Sequence, residues 1–264
     1  MRAVVLLLLL AASQARSATK VLATVVEQKS GKPVTGLTAA DFTLLDDKTP
    51  RRVESAEFVS DTLDAMLLLD TSLAGEMVRP VAGDLIAQLR PKEQMAVVAF
   101  HSSADLIQEF TSSRQLLSQA VGRVKYGNSP KVLDALFAAI QDGFSGSIFR
   151  RVIILLTTGV EGYSRVSERD VVRLARRNGV SIYPVFVIGY ERSMFENLAR
   201  QTGGASFNLR DMRRASEAPP GARIFEVVRG HYVLTVSGNL GLGEKLKLEV
   251  KRPEKLFTSA LPLE

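Results

Sequence analysis

The pattern of apolar and polar positions changes twice along the 264-residue chain. Short β-rich runs separated by turn residues occupy residues 19–60 and most of 222–264. Between these flanks, over 64–210, apolar runs alternate with segments whose apolar residues recur at helical spacing. Such alternation predicts parallel strands joined by helices. We therefore predict an α/β domain over 64–210, and a small β module formed by 19–60 together with a final helix and strands in 222–264.

One run organises the predicted sheet. Ala65-Met-Leu-Leu-Leu69 is apolar without alternation, which is typical of a strand buried on both faces. It ends at Asp70, and small residues follow. Ligands of open α/β sheets bind outside the carboxyl ends of the strands. The residues after Leu69 are therefore where such a fold places a site.

The connection after the second strand and the segment before the third helix give two further predictions. His101–Ala104 is too short for a crossover, so residues 105–110 should form an antiparallel edge strand after the strand Met95–Phe100. Ser129-Pro130 predicts the start of the third helix, with serine as the N-cap and proline at the first helical position.

The chain resembles the von Willebrand factor A domain and secreted bacterial proteins that carry a related domain. The resemblance rests on Asp70-x-Ser72, on Leu155-Leu-Thr-Thr-Gly159, on Gly36-Leu-Thr-Ala-Ala-Asp-Phe42 and on the order of the elements. It implies a doubly wound, mostly parallel, Rossmann-like six-stranded sheet in the order 3-2-1-4-5-6. It also implies a metal-ion-dependent adhesion site at the carboxyl ends of the strands.

That site is incomplete in this chain. The resemblance implies ligands from an Asp-x-Ser-x-Ser set, from a threonine before the third helix and from an aspartate after the fourth strand. Asp70 and Ser72 match, but Ala74, Pro130 and Thr158 stand at the other positions. One formal negative charge remains among the matched positions, so Mg²⁺ or another divalent cation gains less Coulomb energy. Asp70 and Ser72 are the candidate metal ligands of a degenerate site, and hydrogen bonding to loop amides is their alternative role.

The loops beside this site predict a surface that binds a protein partner independently of metal. The candidate contact residues are Thr71, Leu73, Glu76, His101, Asn128, Ser129, Thr158, Glu161 and Tyr163. A metal-dependent adhesion domain with a remodelled ligand shell is the alternative. A hydrolase on the same fold is a weaker one, because the chain has no nucleophile elbow, no phosphate-binding loop and no His-Glu-x-x-His motif. We expect a non-enzymatic protein with no catalytic residue.

The amino-acid composition excludes several kinds of functional site and partner. The chain has no cysteine, which excludes thiolate metal sites and cysteine nucleophiles. Its net charge of +6 comes from scattered basic pairs without interleaved aromatics, so nucleic acid is not the expected partner. Residues 1–15 resemble a secretory signal, with Arg2, an apolar stretch over 3–12 and small residues before the cleavage point. We expect a cleaved signal and a secreted or periplasmic protein; an uncleaved anchor is the alternative.

Overall fold

The computed structural model describes residues 18–215, 219–240 and 246–263. The expected signal, residues 1–15, lies outside these ranges. The strands β1 to β13 are, in order, Ala18–Glu27, Phe42–Asp46, Thr49–Arg51, Val53–Ser60, Leu63–Asp70, Gln94–Phe100, Ala104–Thr111, Arg150–Thr157, Ser181–Phe186, Phe207–Asn208, Gly230–Ser237, Leu246–Val250 and Leu256–Leu263. The helices α1 to α7 are Arg79–Ala87, Arg114–Arg123, Val132–Asp142, Glu168–Arg177, Arg192–Gln201, Leu209–Ala215 and Gly221–Arg229. In these ranges no helix has the length and hydropathy needed to cross a membrane.

The central sheet has the order β10-β9-β8-β5-β6-β7. Its strands are parallel except for β7, which runs antiparallel to β6 at the edge. The predicted order 3-2-1-4-5-6 and the predicted edge strand are therefore confirmed. All eight residues of β5 are buried, as its unbroken apolar run predicts.

Helices cover both faces of this sheet. Leu67 and Leu69 of β5 point into a core formed with α1, α2 and α7. Met66 and Leu68 point into a second core formed with α3, α4 and α5. Successive side chains of a strand alternate between faces, so β5 contributes to both cores and holds the two helical layers together.

Strands from both ends of the chain form the β module predicted beside the central sheet. β13, β1, β11 and β4 form one antiparallel sheet, and β12, β2 and β3 form another. The inner faces of the two sheets share a core that includes Val21, Leu44, Tyr232 and Leu248. The module is therefore a small two-sheet sandwich.

Helix α7 connects the two cores directly. It ends at Arg229, and β11 begins at Gly230 without an intervening loop. The Arg229 guanidinium forms a two-point ion pair with Glu93, with Nε–Oε1 and Nη2–Oε2 distances of 2.7 and 2.6 Å. Nη2 also donates to the carbonyl of Gln88 at 2.7 Å. Both charged groups are buried, so the pair fixes the end of α7 against the segment that follows α1.

A second buried network lies at the start of β11. Arg150 donates from Nη1 to Nδ1 of His231 at 3.2 Å and from Nη2 to the Tyr183 hydroxyl at 2.8 Å. Nδ1 also lies 3.1 Å from the Arg229 carbonyl, and Nε2 lies 3.3 Å from a carboxylate oxygen of Asp61. Burial, together with the nearby Arg150 charge, lowers the pKa of His231 to about 3.

The low pKa of His231 predicts a loss of stability in acid. The ring remains neutral in the folded protein down to about pH 3 but is protonated below about 6.5 when unfolded. Stability present above pH 6.5 is therefore lost as the pH falls towards 3, at up to about 1.4 kcal/mol per pH unit from this group. His231→Gln, which cannot gain a proton, should reduce that slope in urea unfolding measured across this range. Equal slopes in the two proteins would show that His231 does not titrate as proposed.

Candidate functional site

Asp70 lies at the carboxyl end of β5, between the ends of β6 and β8. Its carboxylate is buried and accepts four hydrogen bonds. Oδ1 accepts from the Ser72 amide at 2.9 Å. Oδ2 accepts from the Thr157 hydroxyl at 3.0 Å and from the amide and hydroxyl of Thr158, both at 2.9 Å. Donors from two loops thus converge on this one carboxylate.

The loop after β5 folds tightly around this contact. Thr71 donates from its amide and its hydroxyl to the carbonyl of Phe100, at 2.8 and 3.0 Å. The carbonyl of Thr71 accepts from the amide of Gly127 at 2.8 Å. A Cβ at Gly75 would collide with the carbonyl of Asp70, so glycine is needed there. These bonds join the loops after β5, β6 and α2 into one structure.

Glu161 caps α3, a role that the sequence analysis missed. Its Oε2 accepts from the amides of Val132 and Leu133 at 3.0 and 3.4 Å, and its Oε1 accepts from the Ser164 amide at 2.7 Å. The Ser164 hydroxyl accepts from Leu133 as well, at 3.1 Å. A carboxylate and a hydroxyl at a helix N-terminus satisfy amides that have no partner within the helix.

This cap also corrects the predicted start of the third helix. The helix begins at Val132 with Lys131 at the N-cap, so Ser129 and Pro130 precede it. Ser129 is exposed, and the carbonyl of Pro130 accepts from the Gly162 amide at 2.7 Å. The Ser-Pro signal failed because the capping groups come from a loop about thirty residues later in the sequence.

Tyr126 lies against the same loop. Its ring is close to Gly75, and its hydroxyl is buried without a hydrogen-bond partner among the described residues. Burial raises the pKa of the Tyr126 hydroxyl, and the neighbouring charges of Glu76 and Asp70 raise it further while that of Arg79 lowers it. No local pattern around Tyr126 indicates this packing, because the packing depends on contact between loops.

The nine predicted contact residues separate into two groups. Thr71 and Thr158 are buried, and Glu161 is committed to the helix cap. His101 is half-buried, with Nδ1 2.9 Å from the hydroxyl of Ser102 in its own turn. The exposed members are Leu73, Glu76, Asn128, Ser129 and Tyr163.

Large apolar side chains on the same edge extend the exposed group. Leu73 is 78% exposed, Tyr163 is 95% exposed, and Tyr190, after β9, is 81% exposed. Met77 is exposed as well. Sequence analysis missed Met77 and Tyr190, although each follows a strand or loop that it had placed at this edge. The loops after β5, β8 and β9 thus present a set of apolar side chains to solvent.

The oxygen atoms available for a cation at this edge are few. Ser72 Oγ makes no hydrogen bond to another described residue, whereas both oxygens of Asp70 already accept from the protein. Within residues 18–215, 219–240 and 246–263 there is no cluster of three or more acidic or histidine side chains that could hold a metal ion. The arrangement is a carboxylate that joins loops, with one adjacent serine hydroxyl.

Comparison with known proteins identifies the fold family. The model of the von Willebrand factor type A domain matches residues 64–219, more than half of the chain. The chain belongs to this family. Domains of this type, abbreviated VWA, commonly mediate protein interactions. Comparison with curated protein sequences gives no match.

Solved VWA structures share the fold at low sequence identity. Proximal thread matrix protein 1 (PTMP1) from the mussel byssus has a TM-score of 0.58 and 20% identity, covering 70% of this chain and 51% of that one. A PTMP1 structure with zinc in its metal-ion-dependent adhesion site (MIDAS) motif has a TM-score of 0.55 and 18% identity. This match covers 70% of this chain and 50% of that one. This chain thus spans about half the length of PTMP1. BatB from Bacteroides thetaiotaomicron has a TM-score of 0.52 and 13% identity, covering 63% of this chain and 98% of that one.

The contacts of Asp70 predict a large structural effect of its removal. Asp70→Ala leaves the buried amides of Ser72 and Thr158 without an acceptor, which should cost about 2–6 kcal/mol of unfolding free energy. Ser72→Ala is the matched control; the Ser72 hydroxyl has no hydrogen-bond partner in the described part of the chain, so the loss should be below about 1 kcal/mol. Urea unfolding in the presence of chelator measures both. Similar losses in the two variants would contradict the structural role of Asp70.

Proposed function

We propose that this chain is a non-enzymatic, secreted or periplasmic VWA protein that binds a protein partner through the loops at the carboxyl edge of its central sheet. The observation that supports this most strongly is the set of exposed apolar side chains on those loops, Leu73, Met77, Tyr163 and Tyr190. Apolar groups concentrated on one surface of a folded protein are typical of an interaction site. We also propose that binding needs no metal ion.

The rigidity of the loops favours binding by a preformed surface. Leu73 lies between Asp70 and Gly75, in the loop that is bonded to the ends of β6 and β8. Tyr163 lies between Glu161 and Ser164, which both cap α3. Tyr163 has a positive φ of 60°, a backbone conformation that residues other than glycine seldom adopt. Both side chains therefore project from anchored backbone, which lowers the entropy lost on binding.

The donor set argues against a bound divalent cation. Mg²⁺ requires about six oxygens in near-octahedral geometry, with at least one carboxylate free to face it. Here Thr158 donates its hydroxyl to Asp70 Oδ2, where the family pattern has a second carboxylate. Ala74 lacks the second serine hydroxyl and Pro130 lacks the threonine hydroxyl. We infer a degenerate site in which hydrogen bonds from Thr157 and Thr158 replace the metal.

The available groups also favour a binding role over catalysis. Asp70 already accepts four hydrogen bonds, three of them at Oδ2, so it is poorly suited to act as a general base. His101 directly follows β6 at this edge of the sheet, and its ring contacts Ser102 within the same exposed turn. A hydrolase would need a nucleophile and base oriented by a third group, and no such arrangement involves these residues.

Metal independence predicts the same melting temperature with chelator and with excess Mg²⁺, Mn²⁺ or Ca²⁺. A cation that binds the folded state, supplied at a free concentration of about 100 times its Kd, would add roughly 2.7 kcal/mol to the unfolding free energy. For a domain of this size, that corresponds to a rise of about 5–10 °C. Calorimetry of the full chain measures it. A rise of that size that disappears in Asp70→Asn would favour the metal-dependent adhesion alternative.

Thr158→Asp provides the converse test. The new carboxylate would lie against Asp70 Oδ2 and remove the hydrogen bond from the Thr158 hydroxyl, so stability without metal should fall by roughly 2–4 kcal/mol. Combined with Ala74→Ser and Pro130→Thr, it restores the oxygen ligands of the family pattern, and Mg²⁺ should then stabilise the variant. This protein is also the positive control for the wild-type measurement. Wild-type chain that responds to Mg²⁺ as strongly as the triple variant would refute degeneracy.

The binding surface predicts that Leu73→Ala with Tyr163→Ala reduces partner recovery by tenfold or more, since central apolar anchors each contribute about 2 kcal/mol. Immobilised wild-type and variant chains would be exposed to extracellular and envelope extracts, and bound proteins quantified by mass spectrometry. Ile148→Ala is the matched control: it is 80% exposed but precedes β8, at the opposite edge of the sheet. A partner lost equally in Ile148→Ala, or retained in the double variant, would exclude this surface.

A further inference from the structure

A cavity lies along the outer edge of the central sheet, beside β10. Strand β10 pairs with β9 alone, so its other side is an open edge of the sheet. Residues 205–208 line a cavity of about 170 Å³ on that side, together with the turn after β1 and parts of α5, α6 and α7. Leu73, Met77, Tyr163 and Tyr190 do not line it, so this cavity is separate from the proposed partner surface.

The volume of the cavity restricts the size of a ligand. An apolar cavity of about 150 Å³ holds benzene, whereas sites for drug-sized ligands begin at about 300 Å³. The cavity therefore suits a compound of about six to nine heavy atoms. Phe207 and Met212 contribute to its walls but are only 4% and 7% exposed. Recognition of a ligand therefore depends on polar and charged groups rather than on an apolar floor.

Four charged residues lie at the mouth of the cavity. They are Glu27 at the end of β1, Lys29 in the turn that follows, Asp211 on α6 and Arg223 on α7. All four line both the cavity and a wider, open cleft outside it, so they lie where the two spaces meet. The β1 side of the mouth and the helical side each carry one acid and one base. The four charges sum to zero, which disfavours a ligand with a net charge.

The two acids keep acceptor capacity for a cationic group. Glu27 accepts from the Ser30 hydroxyl at Oε2, at 2.6 Å, and its Oε1 has no hydrogen-bond partner among the described residues. Asp211 Oδ2 lies 4.0 Å from Nη1 of Arg192. Both of those side chains are 57% exposed, so this pair is weak and readily exchanged.

The two bases are available as well. Arg223 donates from Nη2 to the Met212 carbonyl at 3.0 Å, which holds its guanidinium against α6. Its Nε is buried without a hydrogen-bond partner among the described residues. Lys29 is exposed. In the described part of the chain neither base forms an ion pair with Glu27 or Asp211, so opposite charges face one opening without neutralising each other.

We propose that this cavity binds a small free α-amino acid as its zwitterion. The carboxylate lies between Lys29 and Arg223, the ammonium group lies between Glu27 and Asp211, and the side chain enters the cavity. The planar guanidinium of Arg223 suits a carboxylate, because its N–H groups match the two oxygens. A carboxylate without the ammonium group is repelled by the two acids, and an amine without the carboxylate is repelled by the two bases. The mouth thus selects a ligand that carries both charges.

Calorimetric titration of the full chain with L-alanine tests this proposal. L-Alanine should bind at one site. Propanoate lacks its ammonium group and ethylamine lacks its carboxylate, so both should bind at least about tenfold more weakly, because each forfeits charge-assisted hydrogen bonds. L-Tryptophan should also bind more weakly, since its indole is too large for the cavity. Propanoate that binds as tightly as L-alanine would overturn the proposal in favour of a simple anion site, and folded wild-type chain that does not bind L-alanine would refute it.

Variants separate the two halves of the site. Asp211→Asn should weaken L-alanine binding about threefold or more without weakening propanoate, because it removes a partner of the ammonium group alone. Lys29→Gln should weaken both ligands. The matched controls are Asp142→Asn, an exposed acid outside the cavity, and Lys32→Gln, an exposed lysine that lines only the outer cleft; neither should change the affinity. Equal weakening in the variants and their controls, or joint loss of L-alanine and propanoate binding in Asp211→Asn, would refute the assigned roles.

Discussion

The carboxylate of Asp70 is the contact on which the loops at the carboxyl edge of the central sheet depend. It is buried at the end of the central strand, and it accepts bonds from the loop that follows it and from the loop after β8. A buried charge without a counter-ion is costly unless hydrogen bonds surround it, and here two threonine hydroxyls and two backbone amides supply them. The strand position and the four hydrogen bonds together hold the loops after β5 and β8 as a fixed platform.

The platform extends from this residue by a chain of further bonds. Thr71 joins the end of β6 to the loop before α3, and Glu161 with Ser164 joins that helix to the loop after β8. Each link satisfies backbone groups that would otherwise be unpaired at the ends of strands and helices. The exposed apolar side chains thus project from loops whose backbone groups are hydrogen-bonded to neighbouring loops and helix ends. This arrangement suits recognition by shape, which does not need a shared ion to orient the partner.

The sheet was predictable from sequence because its strongest signals are local. The unbroken apolar run before Asp70 and the four-residue turn at His101 determined a buried central strand and an antiparallel edge strand, and the structure confirms both. The start of α3 was predicted wrongly, since Ser129-Pro130 is a good local signal but Glu161 supplies the cap from afar. Similarly, burial of Thr71 and Thr158 follows from loop-to-loop bonds that periodicity does not encode. The strand ends indicated where the candidate site should lie, whereas the contacts within it could only be read from the structure.

The direct junction of α7 with β11 has a mechanical consequence. β11 is hydrogen-bonded on both sides, to β1 and to β4, with inward side chains such as Leu234 in the core of the sandwich. If α7 moved along its helix axis, it would shift β11 out of register with its two neighbouring strands. A slip of one residue would turn every inward side chain towards the other face. The pairing of β11 with both neighbours therefore resists movement of α7 along its own axis.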